Sequence, residues 1–221
     1  MQKMKAIIFD LDNTLLDRTR MFGNFATAFL QTHFSHIEST EALYNRILEL
    51  DRDGYKDRNA LFAELIEELP WRETLSHAEL AAYYKREYMS NAVLMDRAHE
   101  LLAYLRRQNY RIGLITNGRN DMQYGKIDRL GLRDAFEFIL VSEEAGVKKP
   151  DAKIFEMALE RLGLLAGECI FIGDHPVNDI EGASSAGMET IWIQVNHPWR
   201  EELTAKPLHT IRQLGELIEL L

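Results

Sequence analysis

Five short apolar runs constrain the fold of this 221-residue chain more than any other feature. They are Ala6-Ile7-Ile8-Phe9, Arg111 to Ile115, Phe138 to Val141, Cys169 to Ile172 and Thr190 to Val195. Each has strand length and none alternates cleanly between apolar and polar residues, so both faces of each strand must meet core. That happens in a parallel sheet covered by helices on both sides. The intervening segments carry helical spacing, as in Ala98-x-x-Leu101-Leu102-x-x-Leu105 and Ile154-Phe155-x-x-Ala158-Leu159-x-x-Leu162, with Gly163 as a stop. From about residue 97 the pattern therefore predicts an α/β architecture. Residues 17 to 95 contain no comparable run. Their spacing, as in Phe22-x-x-Phe25-Ala26-x-x-Phe29-Leu30 and Leu61-Phe62-x-x-Leu65-Ile66, predicts an all-helical insertion with Leu69-Pro70-Trp71 between two of its helices. Thr210 to Leu221 reads as a terminal helix packed on the core.

Composition narrows the partners. Lys plus Arg number 26 and Asp plus Glu 35, a net charge of −9, which opposes general binding to a nucleic-acid polymer or to anionic lipid. An anionic ligand must then be held by a local site. No apolar run approaches the roughly 20 residues that span a bilayer, and no signal-peptide h-region is evident, so we expect neither a membrane protein nor an exported one. The single cysteine, Cys169, cannot form an internal disulfide. It is expected to be a buried small apolar residue in a cytoplasmic protein.

In open parallel sheets, ligands bind outside the carboxyl ends of the strands. Those ends are polar here. The first run is followed by Asp10-Leu11-Asp12-Asn13-Thr14, the second leads into Thr116-Asn117-Gly118, and the fourth into Gly173-Asp174-His175-Pro176-Val177-Asn178-Asp179. A loop after the third carries Lys148-Lys149-Pro150-Asp151. Converging carboxylates repel one another unless a hard cation neutralises them, and an oxygen donor set without a thiolate or histidine cluster points to Mg²⁺. Metal and lysine together suit a phosphate. Phosphoryl transfer needs an in-line nucleophile, positive charge around the equatorial oxygens and an acid for the leaving group. Asp10 fits the nucleophile and Asp12 the acid/base, two residues apart on a strand and so facing the same way. Thr116, Asn117, Gly118 and Lys149 can hold the phosphate, Asp174 can complete the metal site, and Asp179 can fix Lys149 or a metal-bound water.

Together, Asp10-x-Asp12-x-Thr14, Thr116-Asn117-Gly118, Lys149-Pro150-Asp151 and Gly173-Asp174-x4-Asp179 resemble, in order and in their preceding strands, the four motifs of the haloacid dehalogenase-like hydrolases. Gln123-x-x-Lys126-x-x-x-Leu130-Gly131-Leu132 also resembles the helix that links two of them. The resemblance implies a Rossmann-like parallel-sheet core over 1–16 and 97–221, with an inserted all-helical cap domain over 17–96. It implies an aspartyl-phosphate at Asp10 and Mg²⁺ held by Asp10, the Asp12 backbone carbonyl and Asp174. Dehalogenases of the family lack an aspartate at the position of Asp12, so the expected activity is a Mg²⁺-dependent phosphatase acting on a small phosphorylated metabolite: a nucleotide, a sugar phosphate or a phosphoglycolate-like ester. Asn13 departs from the glycine that many members carry. Lys149 rather than Lys148 directly precedes the proline. The alternatives are a phosphomutase, a dehalogenase-type hydrolase or a non-catalytic module that binds a phosphorylated ligand, in a monomer or homodimer.

Two further stretches bear on specificity. Asp51-Arg52-Asp53-Gly54-Tyr55-Lys56-Asp57-Arg58 places six charges in eight residues. Such runs ordinarily form solvated faces. Facing the crevice instead, Arg52 and Lys56, with Tyr55 or Arg58, would contact the leaving group. His33 and His36 lie three apart on an expected helix without an accompanying carboxylate motif, so no second metal site is assigned to them. His175 either reaches the site or serves the backbone before Pro176.

Overall fold

The computed structural model describes residues 4–221. Its regular elements, in chain order, are β1 (Ala6–Phe9), α1 (Arg18–His33), α2 (Glu41–Asp51), α3 (Arg58–Glu68), α4 (His77–Ser90), α5 (Ala98–Arg107), β2 (Arg111–Thr116) and α6 (Asn120–Arg129). They continue with β3 (Phe138–Val141), α7 (Ser142–Ala145), α8 (Ala152–Leu162), β4 (Cys169–Gly173), α9 (Gly182–Ser185), β5 (Glu189–Ile193), β6 (His209–Ile211) and α10 (Leu217–Leu220). The chain divides into two compact units, Met1–Asp17 with Leu94–Leu221, and Arg18–Val93.

The first unit is built on a six-stranded sheet in the order β3-β2-β1-β4-β5-β6, with every pairing parallel. β1 is central and all four of its residues are buried, which is why it tolerates no polar position. The chain passes to β2 on one side of β1 and to β4 on the other, so the crevice of this topology opens beyond its carboxyl end. Register aligns the chemistry there. Phe9 lies beside Leu114 on β2 and Ile172 on β4, so Asp10, Thr116 and Asp174 leave the sheet at nearly one level. Ile8, Ile115, Phe138, Leu140, Phe155 and Phe171 pack together, α8 contributing Phe155 edge-on to Phe171 at 5.2 Å. α8 stops at Gly163, whose φ of 60° places it in the left-handed region that ends helices.

The terminal segment differs from expectation. Thr210 and Ile211 lie in β6, a three-residue edge strand on β5, and only a short helix follows at Leu217–Leu220. Of the β6 residues only Ile211 is buried, so a strand with one inward apolar residue leaves no legible run. β5 also ends at Ile193 rather than Val195.

The second unit is four helices around an aromatic core, in which the Phe25 ring meets Tyr84 at 4.9 Å and Tyr84 stacks on Tyr88 at 4.8 Å. Its helix starts carry the expected chemistry: the Asp57 carboxylate accepts from Ala60 N at the start of α3, and Ser76 with Glu79 forms a capping box on α4. α2 ends differently. Arg52, Asp53 and Gly54 have φ of 51°, 53° and 86°, three successive residues in the left-handed region. The charged run around them is only partly a solvated face, with Arg52 and Asp57 exposed. Asp51 is 1% exposed and accepts from the buried Arg18 at 2.6 Å and from Arg58 at 2.9 Å, while Arg18 also reaches Asp53. His33 closes α1 and His36 lies beyond it, so the two do not share a helical face. His33 packs instead against Tyr83, Phe29 and Trp71.

Candidate active site

Asp10 follows β1 directly, and its N–H still donates to Ile172 O at 2.9 Å, so its backbone is held by β4. The residue is 6% exposed. Burial pushes its carboxyl up to about 7; Asp179 and Asp12 push the same way and Lys149 opposes them. Thr14 Oγ1 lies 3.4 Å from Asp10 Oδ2. Asn13, between the two aspartates and Thr14, has a φ of 57°. Glycine and asparagine are the residues that adopt this conformation most readily, which accounts for the substitution noted in the sequence.

Lys149 is the cationic centre. Its ammonium donates to Asp10 Oδ1 at 2.6 Å, Asp179 Oδ1 at 2.6 Å and Ile115 O at 3.1 Å. Burial opposes the charge, but the two carboxylates hold its pKa above the ordinary lysine range. The Lys149-Pro150 peptide is cis. Asn117 fixes Lys149 through the backbone: its Nδ2 donates to Lys149 O and its Oδ1 accepts from Lys149 N, both at 2.9 Å. Its side-chain amide is thus engaged in placing the lysine. Gly118 N donates to Ser142 Oγ at 2.9 Å.

Asp179 is 1% exposed and accepts from His175 N at 2.9 Å through Oδ2. It approaches so closely that a Cβ built on Gly173 would stand 2.5 Å from its Cβ and Cγ. The glycine before Asp174 is therefore required by Asp179, six residues on from it. Asp174 is buried and its carbonyl accepts from Trp192 Nε1 at 2.8 Å. His175 serves the backbone: its Nδ1 accepts from Val177 N and Asn178 N, capping the π-helical turn Pro176–Glu181. Burial depresses its pKa to about 4.

Oxygens of Asp10, Asp174 and Asp179 lie within 4.8 Å of one another. Three buried carboxylates with one ammonium among them leave an excess of negative charge, and every donor is oxygen. That set fits a hard divalent cation such as Mg²⁺.

Asp12 takes a different course from Asp10. β1 ends at Phe9, so the two carboxylates are not placed by strand alternation. Asp12 binds Lys126 Nζ through both oxygens, at 2.7 and 2.8 Å, and Gln123 Nε2 at 2.9 Å. Gln123 also donates to Thr116 Oγ1. Gln123 and Lys126 stand in the linking-helix pattern but carried no role there; their i, i+3 spacing on a helix was the available signal. Arg52 and Lys56 belong to the other compact unit, where Arg52 is exposed in the left-handed turn and Lys56 pairs with Glu64.

The pattern of the haloacid dehalogenase-like hydrolases matches residues 7–193, and the chain belongs to that family. It is 33% identical over 197 residues to a glyceraldehyde 3-phosphate phosphatase of Pyrococcus abyssi, covering 86% of this chain and 82% of the relative. It is 35% identical over 221 aligned residues to a phosphoserine phosphatase of Thermus thermophilus, covering 86% and 88%. Among solved structures, a HAD-hydrolase of Bacillus subtilis, bound to magnesium and revealing interdomain movement, is similar over 99% of both chains, with a TM-score of 0.82 and 26% identity.

Proposed function

We propose that this chain is a Mg²⁺-dependent phosphatase that hydrolyses the phosphate monoester of a small metabolite through an aspartyl-phosphate on Asp10. The observation that carries the reading is the cluster of Asp10, Asp174 and Asp179 around Lys149 at the carboxyl edge of β1, β2 and β4. The phosphatase relatives support the reaction class, and the magnesium-bound relative supports the metal. Asp10, the Asp12 carbonyl and Asp174 would hold the Mg²⁺, which supplies charge neutralisation for the phosphate and the attacking carboxylate.

A carboxylate oxygen of Asp10 attacks phosphorus in line; the new O–P bond forms as the bond to the leaving oxygen breaks, and Asp12 gives that oxygen its proton. Asp12 then takes a proton from water, which attacks the acyl phosphate, releases inorganic phosphate and restores Asp10. Lys149 offsets negative charge on Asp10 and the phosphoryl oxygens, with Asp179 and Asn117 keeping it in place. Thr116 and the backbone N–H of Asn117 orient the phosphate, with Ser142 holding Gly118 beside them. Residues 18–93 would act as a helical cap that excludes water and selects the ester, with Arg52 and Lys56 contributing to the choice.

The test is phosphate release from a panel of nucleotides, sugar phosphates, phosphoglycolate and p-nitrophenyl phosphate, with Mg²⁺ or with EDTA. Release that needs Mg²⁺ is expected. No release from any ester by folded, Mg²⁺-loaded protein would overturn the reading in favour of a mutase or a binding module.

A further inference from the structure

We propose that Lys126 and Gln123 are positioning residues that aim the Asp12 carboxyl at the leaving oxygen. The inference rests on the acid/base role proposed for Asp12. Both residues lie on α6, three apart and so on one helical face, and both are buried although their heads are charged or polar. A buried lysine requires a partner, because an uncompensated ammonium away from water is strongly unfavourable. Lys126 meets Asp12 by both carboxylate oxygens and also donates to Gln123 Oε1 at 2.8 Å. Gln123 Nε2 returns to Asp12 Oδ2, closing a ring of three side chains, and reaches Thr116 Oγ1 as well.

The ring has a functional shape. Lys126 and Gln123 form its inner side, whereas the Asp12 side chain keeps 24% of its surface open. Asp12 sits in a loop whose next residue, Asn13, is left-handed, so no strand alternation orients its carboxyl. The contacts from α6 supply that orientation. Gln123 further ties the acid/base to Thr116, the hydroxyl proposed to meet the phosphate. The position of the proton donor is thereby fixed relative to the group being transferred.

A misdirected acid matters in proportion to how much the leaving oxygen needs a proton. Phenyl phosphate and p-nitrophenyl phosphate have nearly the same shape, but nitrophenolate leaves readily unprotonated whereas phenolate does so less well. Properly placed general acid catalysis contributes roughly 10²–10⁴-fold. Lys126→Met should therefore lower kcat/KM, which reports the steps through departure of the ester oxygen, at least about tenfold more on phenyl phosphate than on p-nitrophenyl phosphate, whereas the shared hydrolysis of the acyl phosphate leaves no such split in kcat. Gln123→Met should give the same split on a smaller scale, and Lys126→Arg should restore part of it. Asp12→Asn is the reference for loss of the acid itself.

A split in Asp12→Asn that is reproduced in Lys126→Met, or in Gln123→Met should the lysine variant not fold, supports the assignment. A split in Asp12→Asn with equal losses on both esters in the folded α6 variants overturns it, leaving a structural ion pair and an intact phosphatase. No split in Asp12→Asn removes the acid role from Asp12 and overturns both readings together.

Discussion

Replacing Gly173 by alanine probes the packing that holds the catalytic cluster together. In an ordinary extended position this change stabilises a protein by about 0.4–1 kcal/mol, because it narrows the unfolded ensemble. Gly173 ends β4 outside the left-handed region, so its backbone accepts alanine. Its surroundings do not: the new methyl would stand 2.5 Å from Asp179 Cβ, Cγ and Oδ2. A Cβ cannot rotate away, so the backbone around Asp179 must shift. Overpacking of this kind costs about 1–3 kcal/mol. Asp179 also accepts from the buried Lys149 at 2.6 Å, and breaking a buried pair costs about 3–5 kcal/mol. The clash thus outweighs the entropic gain, for a net loss of about 1 kcal/mol if the pair survives and toward about 4 kcal/mol if it breaks. For a chain of this size each kcal/mol lowers Tm by about 2–4 °C, so calorimetry should show a drop of about 2–16 °C. Made in an Asp179→Gly background, where the clashing side chain is absent, the same substitution should be neutral or stabilising. A Gly173→Ala protein with an unchanged or raised Tm would refute the steric argument.

Within the helical unit, Asp51→Asn should cost about 3–5 kcal/mol by leaving Arg18 without its buried carboxylate, whereas Arg58→Met should cost about 1 kcal/mol because Arg18 still pairs with Asp51; denaturant unfolding orders the two. Burial raises the Cys169 thiol to about 11, so native protein at pH 8 should resist thiol alkylation and react promptly once unfolded; rapid labelling of the folded protein would contradict its burial. Burial lowers the His33 pKa, so at a pH below the ordinary histidine value the unfolded chain binds more protons there than the folded one. Its contribution is complete above that value and is lost as the pH falls toward the folded pKa. His33→Phe should therefore reduce the loss of Tm between pH 7 and 5, and an unaltered pH slope would count against this origin.

Much of the fold was legible because β1 to β5 are apolar on both faces, a texture that only a covered parallel sheet satisfies. β6 was not, since an edge strand with one buried residue has no such texture. The residues that meet around Lys149 were visible as polar tails on four runs, because the sheet register brings strand ends together whatever their separation in sequence. The course of the side chains was less accessible. Strand alternation cannot place Asp12 once the strand stops at Phe9, and the contact that orients it comes from a helix more than a hundred residues away. Likewise, the burial of Asp51 within the charged run was not legible, because its buried partner, Arg18, stands more than thirty residues earlier.

The central claim is that phosphate passes through a covalent bond to Asp10. Acid-quenched protein incubated with Mg²⁺ and the best ester of the panel, labelled with ³²P, tests it directly. An Asp12→Asn protein, deprived of the group that activates water, should retain acid-stable, hydroxylamine-labile label on the peptide containing Asp10, and the Asp10→Asn protein should carry none. Label that persists in Asp10→Asn, or full turnover by that variant, would contradict the account.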